Sequence, residues 1–291
     1  MLIFVIIHVI FSVIPNIFSI IITTIGEFAM KKFFGFTLAE ILITLGIIGV
    51  VAAITIPILN SQTTHKKLQT QFKKAYAELN QAARTFYSDT DVPVHDYDIL
   101  LKAGVDTTTG GGWNNDALLK KFLSYYQGAS AESTNFSWSK FDSVHKIKNL
   151  NFNGQVIASY PCDQSRVYKD AVGRLYVMDD TSTAYGTALD YGPKICVDTN
   201  GIDKPNRWGY DRFVFVFTEE SAVIPYTGST WATLGKNLTD PAKIAKYCSQ
   251  DTTTPAHTCA YFAISDKSPT GNGSYFYDYL KKNKSKKNKS L

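Results

Sequence analysis

The sequence predicts an α+β chain: a long N-terminal helix, membrane-embedded in its first half and amphipathic in its second, packed on an antiparallel β-sheet. Three observations predict it. Ile41–Leu59 is an apolar run close to the roughly 20 residues that a membrane-spanning helix needs. Apolar residues then recur at Leu68, Phe72, Ala75, Tyr76, Leu79, Ala82, Ala83 and Phe86, the three-and-four spacing of one helical face. Later runs rich in Val, Ile, Phe and Tyr are short and bounded by Gly, Asp and Pro, as strands are.

Neither Pro nor Gly interrupts the chain between Pro57 and Val92-Pro93, so one helix is expected to continue from the apolar run into water. Pro57 is its expected kink. From about Thr90 the chain turns polar and rich in Gly, Ser and Thr, with a short helix expected over Asn115–Tyr126. Strands are expected at Gln155–Tyr160, Arg174–Met178, Lys194–Val197, Arg212–Thr218, Ala222–Pro225 and Cys259–Ile264. Tyr275, Phe276, Tyr277 and Tyr279 read as a final strand or the edge of the core. The organisation that follows is an apolar extension (1–29), a leader (30–35), an apolar helix (36–58), its amphipathic continuation (59–89), an α+β domain (90–280) and a lysine-rich, disordered tail (281–291).

Composition supports one large domain. The 291 residues are 45% hydrophobic and 13% aromatic, enough for a sizeable core. The net charge of +5 is misleading, because Lys281, Lys282, Lys284, Lys286, Lys287 and Lys289 all lie in the tail. The body is near neutral and makes no broad electrostatic case for nucleic acid. The cysteines, Cys162, Cys196, Cys248 and Cys259, have no CxxC spacing and no paired histidines, which argues against zinc. In an exported domain they would form disulfides. Three pairings are open. The short loop makes Cys248–Cys259 the preferred one, leaving Cys162–Cys196, with free buried thiols as the alternative.

Lys31-Lys32-Phe33-Phe34-Gly35, then Phe36-Thr37-Leu38-Ala39-Glu40 and an apolar run, resemble the prepilin signal of type IV pilins and type II secretion pseudopilins. The matching parts are a short basic leader, a small residue before the scissile bond, Phe after it, and Glu at the fifth mature position. The match covers about the first quarter of the chain. The resemblance implies a pilin-like fold and cleavage by a prepilin peptidase between Gly35 and Phe36. It further implies N-methylation of the new amine and pairing of Glu40 with the N-terminus of a neighbouring subunit. Gly49 and Pro57 fall where the family commonly has them, and the helix between them is expected to melt in an assembled filament. Partners implied are other pilin or pseudopilin subunits, an inner-membrane assembly platform and membrane lipid. The physics agrees: a carboxylate at a bilayer edge is expensive and marks function. Lys31 and Lys32 would stay cytoplasmic, so a single-pass chain in the bacterial inner membrane would carry its C-terminal domain outside, before entering a pilus or pseudopilus.

Family leaders are usually short and polar, so translation is expected to begin at Met30, which opens "MKKFFG", with 1–29 a mis-called extension. The rival is a genuine long leader.

The stretch "CVDTNGIDKPNRWGYDRFVF" places Asp198, Asn200, Asp203, Asn206 and Asp211 close together. One reading is a tight turn whose Asn and Asp bond their own backbone. The other is a calcium loop, as in major pseudopilins, with Asp198, Asn200 and Asp211 as ligands, although Gly201 falls too early for an EF-hand and no terminal Glu follows.

Nothing in the sequence points to catalysis. There is no GxSxG, no HExxH, and no Lys-Ser/Thr after Gly110-Gly111-Gly112. Asp179-Asp180 and Glu219-Glu220 read as solvated faces, and the implied family is non-enzymatic. The expectation is a filament subunit. The alternative is a minor pilin acting as an adhesin or DNA-uptake module at the filament tip, with the lysine tail as the weak argument for DNA.

Overall fold

The computed structural model describes residues 37–102, 115–126, 132–179, 193–229, 238–249 and 254–281. The chain divides into two compact units, Met1–Ile58 and Leu59–Leu291. Helix α1, Leu38–Thr90, contributes residues to both.

The α+β class and the antiparallel sheet are present; the membrane-embedded, pilin-like first half of the helix is a correction. Among the described residues no helix is long and apolar enough to cross a membrane. The division after Ile58 also assigns the first half of that helix to a different unit from the sheet. Only the part of α1 from Leu59 onward belongs with the sheet.

In the second unit, the expected helical face is the buried one. Leu68, Phe72, Ala75, Leu79, Ala82, Ala83 and Phe86 are all buried. The helix stops at Thr90, where Asp91 takes a left-handed φ of 57° and Pro93 cannot continue it. Helices α2 (Val94–Lys102) and α3 (Asn115–Ser124) follow. The strands are β1 (Glu132–Ser133), β2 (Tyr168–Lys169), β3 (Leu175–Asp179), β4 (Lys194–Asp198), β5 (Arg212–Phe217) and β6 (Val223–Pro225). They pair in chain order, each antiparallel to the next.

All six residues of β5 are buried, so both of its faces are covered. On one face Phe72 of α1 meets Phe213 at 4.5 Å between ring centroids, and Phe122 of α3 meets Phe217 at 4.8 Å. Each such fully buried ring contributes about 2–3 kcal/mol. On the other face lie Cys196, bonded to Cys162, and Arg212, which reaches Asp142 of α4 (Trp138–Val144). A second ionic cluster ties α1 to β3: Arg174 Nη2 meets Glu78 at 2.6 Å and Arg174 Nε meets Asp170 at 2.8 Å. Tyr126 and Tyr176 donate to those two carboxylates.

The disulfides are Cys162–Cys196 and Cys248–Cys259, with sequence separations of 34 and 11. On the chain-entropy account the first contributes about 4 kcal/mol and the second about 3.

Three segments differ from expectation. Cys259–Ile264 is not a strand but most of helix α6 (Cys259–Ser265), which follows α5 (Pro241–Lys246). A short apolar run does not declare its period, and Ala260 and Ala263 favour the helix. Gln155–Tyr160 makes only a bridge, Leu150 to Val156. Tyr275–Tyr279 forms a single π-helical turn rather than a final strand, capped by Ser274 and burying Tyr275, Phe276 and Tyr279.

The outer edge of β6 is occupied by a side chain. Asn80 of α1 donates its amide to Val223 O at 3.1 Å and accepts from Val223 N at 3.1 Å.

Candidate functional site

The first unit presents an uncovered apolar helix behind a capping box. Thr37 is the residue before α1, and Glu40 stands three positions on. Thr37 N–H and Oγ1 both donate to Glu40 Oε2 at 2.9 Å, and Glu40 N–H donates back to Thr37 Oγ1 at 3.3 Å. This is the reciprocal arrangement that satisfies the free donors of a helix start. Beyond it, Leu38 is 76% exposed, and Leu42, Leu45, Ile48 and Val50 are each 60% or more. A Cβ added to Gly46 or Gly49 would meet nothing within 4 Å. A contiguous apolar surface of this kind signals a partner or lipid.

Gly35 and Phe36, the expected processing pair, lie outside the described residues, as do the leader, the 1–29 extension, Asp180, the Gly110–Gly112 run and the tail beyond Lys281. Pro57 falls within α1, which continues through it.

Asp198, Asn200 and Asp211 do come together, but as a turn. Asp211 Oδ2 accepts from Asn206 N at 2.7 Å, and its Oδ1 from Arg207 N at 2.7 Å. Asp198 Oδ2 accepts from Arg212 Nε at 2.8 Å, and its Oδ1 from Asn200 N at 3.3 Å. Burial, then the charge of Asp211, pushes the Asp198 carboxyl well above its usual range. Burial pushes Asp211 up to about 6. Calcium needs six to eight oxygens, and these four are already engaged. The residues do not fit the ion. Among the described residues no group of three His, Cys, Asp or Glu could hold a metal. Gly201 is required here for a different reason: at φ +70° its Cβ would stand 2.0 Å from Gly173 O.

Sequence reasoning missed the buried ionic centre. Arg212 forks onto Asp142, Nη1 to Oδ2 at 2.8 Å and Nη2 to Oδ1 at 2.9 Å, while its Nε holds Asp198. Its guanidinium lies 5.1 Å from the Trp138 ring. Nothing in "SWSKFDSV" marks Asp142 as buried. Asp179, read as solvated, is instead buried and paired with Lys194 at 2.7 Å. Glu219 and Glu220 are exposed.

His257 is buried between two carbonyls, 3.1 Å from Pro255 O and 3.0 Å from Gly228 O. Burial outweighs both and lowers its imidazole to about 4. The folded value therefore lies below the unfolded value of ~6.5. Between these pH values the unfolded chain takes up a proton that the folded chain does not. Stability is expected to fall by about 3 kcal/mol as pH drops from 6.5 to below 4. His257→Gln should flatten that part of a melting-temperature profile relative to the parent; an unchanged slope would count against it.

Comparison of the chain with protein-family models, with curated proteins and with solved structures finds no match.

Proposed function

We propose that this chain is a structural subunit of a type IV pilus or of a type II secretion pseudopilus, cut by a prepilin peptidase between Gly35 and Phe36 and polymerised through the segment after the cut. One observation carries the reading: an apolar helical surface, Leu38 to Val51, stands exposed directly behind Glu40. Packing such surfaces against one another supplies grip without direction. A carboxylate at their head, facing an amine that exists only after cleavage, supplies register. The two disulfides support a domain that works outside the cytoplasm. On this reading the protein is substrate to a peptidase and building block to an assembly platform, not an enzyme.

Processing is the direct test. Mass spectrometry of chain from cells with prepilin peptidase should find a mature N-terminus at Phe36, and cells without it should hold only precursor. Gly35→Leu should leave the bond intact, because the signal that this chain resembles has a small residue there. A mature chain that begins elsewhere overturns the proposal.

A further inference from the structure

An asparagine followed by glycine is chemically labile. Glycine has no side chain to shield its backbone nitrogen, and its freedom of φ and ψ lets that nitrogen reach the neighbouring carboxamide. The chain holds three such pairs, Asn153-Gly154, Asn200-Gly201 and Asn272-Gly273. The fold treats them differently.

Asn153 is held at both ends of its carboxamide. Its Nδ2 donates to Gln155 Oε1 at 3.4 Å, and its Oδ1 accepts from Gln155 N at 3.1 Å. The attacking nitrogen is occupied as well, since Gly154 N–H donates to Asn151 O at 3.0 Å. Asn200 Nδ2 donates to Lys204 O at 3.2 Å, and the same side chain bonds the Asp211 carboxylate. Asn272 is exposed, and among the described residues neither its carboxamide nor Gly273 N–H has a hydrogen-bond partner. Space is open beside it: a Cβ on Gly271 would meet nothing within 4 Å. The fold also retains the labile bond, because Gly273 has a φ of +82° and a Cβ there would stand 2.6 Å from Asp278 Oδ2.

We infer that Asn272 is a site of spontaneous deamidation in the folded protein. Gly273 N gives up its proton and attacks Asn272 Cγ. The new C–N bond closes a five-membered succinimide, the Cγ–Nδ2 bond breaks, and ammonia leaves. Water then opens either ring carbonyl, giving aspartate or isoaspartate. Nothing is oxidised or reduced, and water is the sole co-reactant. The product carries an added negative charge. In the isoaspartyl form it also carries an extra backbone methylene, in a turn that Ser268 N–H closes onto Gly273 O at 3.0 Å. Each chain thus acquires an irreversible mark of its age. The inference does not rest on the proposed function.

The test incubates the full-length protein at mildly alkaline pH until a guanidinium-unfolded sample of the same chain has lost half of its Asn-Gly amides. Peptide mass spectrometry then locates the conversions. In the folded protein Asn272 should convert at least about tenfold faster than Asn153 or Asn200, each of which must first give up hydrogen bonds. In the unfolded sample the three should convert at similar rates, which assigns the difference to the fold. Conversion should speed up as pH rises, because the attacking nitrogen must lose its proton. Asn272→Gln should abolish conversion at this position, since glutamine has a larger ring to close, and should leave the melting temperature of fresh protein unchanged. Asn272 intact in the folded protein, or Asn153 or Asn200 converting as fast as Asn272, would overturn the inference.

Discussion

Arg212→Met is expected to remove most of the stability of the sheet-bearing unit. Arg212 is fully buried and holds two buried carboxylates, Asp142 through both terminal nitrogens and Asp198 through Nε. Methionine fills much of the space and satisfies neither acid. Removing one partner of a buried pair costs about 3–5 kcal/mol, against a total of roughly 5–15 kcal/mol for a typical domain. The loss should show as a large drop in urea midpoint. It should also carry a pH signature. In the parent the charge of Arg212 offsets part of the burial that holds the Asp198 carboxyl high; in the variant that offset is gone and the carboxyl is pushed higher still. The penalty of its charged form is then greatest at neutral pH and shrinks as pH falls and Asp198 takes up a proton. The variant should therefore close part of its gap to the parent between pH 7 and 5. A midpoint within about 1 kcal/mol of the parent would show that the network does not matter energetically.

The second large effect concerns Glu40. Under the proposed function, Glu40→Ala should be cleaved normally and yet fail to enter filaments. Each contact would leave one amine without its carboxylate, which weakens every subunit addition. The capping box complicates the interpretation, because alanine also removes the bonds to Thr37. Losing those two bonds weakens the helix start, while the bond from the backbone N–H of residue 40 to Thr37 Oγ1 remains. Glu40→Gln separates the two, since glutamine serves in a capping box but carries no charge. If charge pairing sets register, the Gln variant should be as defective as Ala in the sheared-filament fraction. Assembly restored by Gln would assign Glu40 to capping alone.

How much of this was legible in advance depended on whether a residue's role was local. The strand "RFVFVF" was visible because a dense β-branched and aromatic run bounded by turns has few other uses, and Lys194–Val197 and Ala222–Pro225 were found within a residue or two at their ends. The buried face of α1 was visible because its spacing repeats. The Thr37–Glu40 box was missed as a box, although its spacing was present: Glu40 was read only for an intermolecular role. Helix α5 was missed too, although Asp240-Pro241 is an N-terminal signal, and Asp240 does cap it through Ala242 N. The ionic centre was out of reach for a different reason. Asp142 and Arg212 are seventy positions apart and meet only once the sheet exists. The membrane-embedded half of the helix is not shown: among the described residues no helix is long and apolar enough to cross a membrane, and the chain divides after Ile58.

Asn80 bears on how closely these domains can be crowded. A free edge strand is a template, and its danger grows with the concentration of other edges. Tethering many copies side by side raises that concentration to the millimolar range. Here the amide of one helical side chain occupies the Val223 donor and acceptor, and Pro225 has no N–H to offer. This edge is thus capped at Val223 by an imitation of a seventh strand rather than by a strand. Its neighbours find no ladder there to extend, and dense packing of the domain need not become a route to fibrous aggregation.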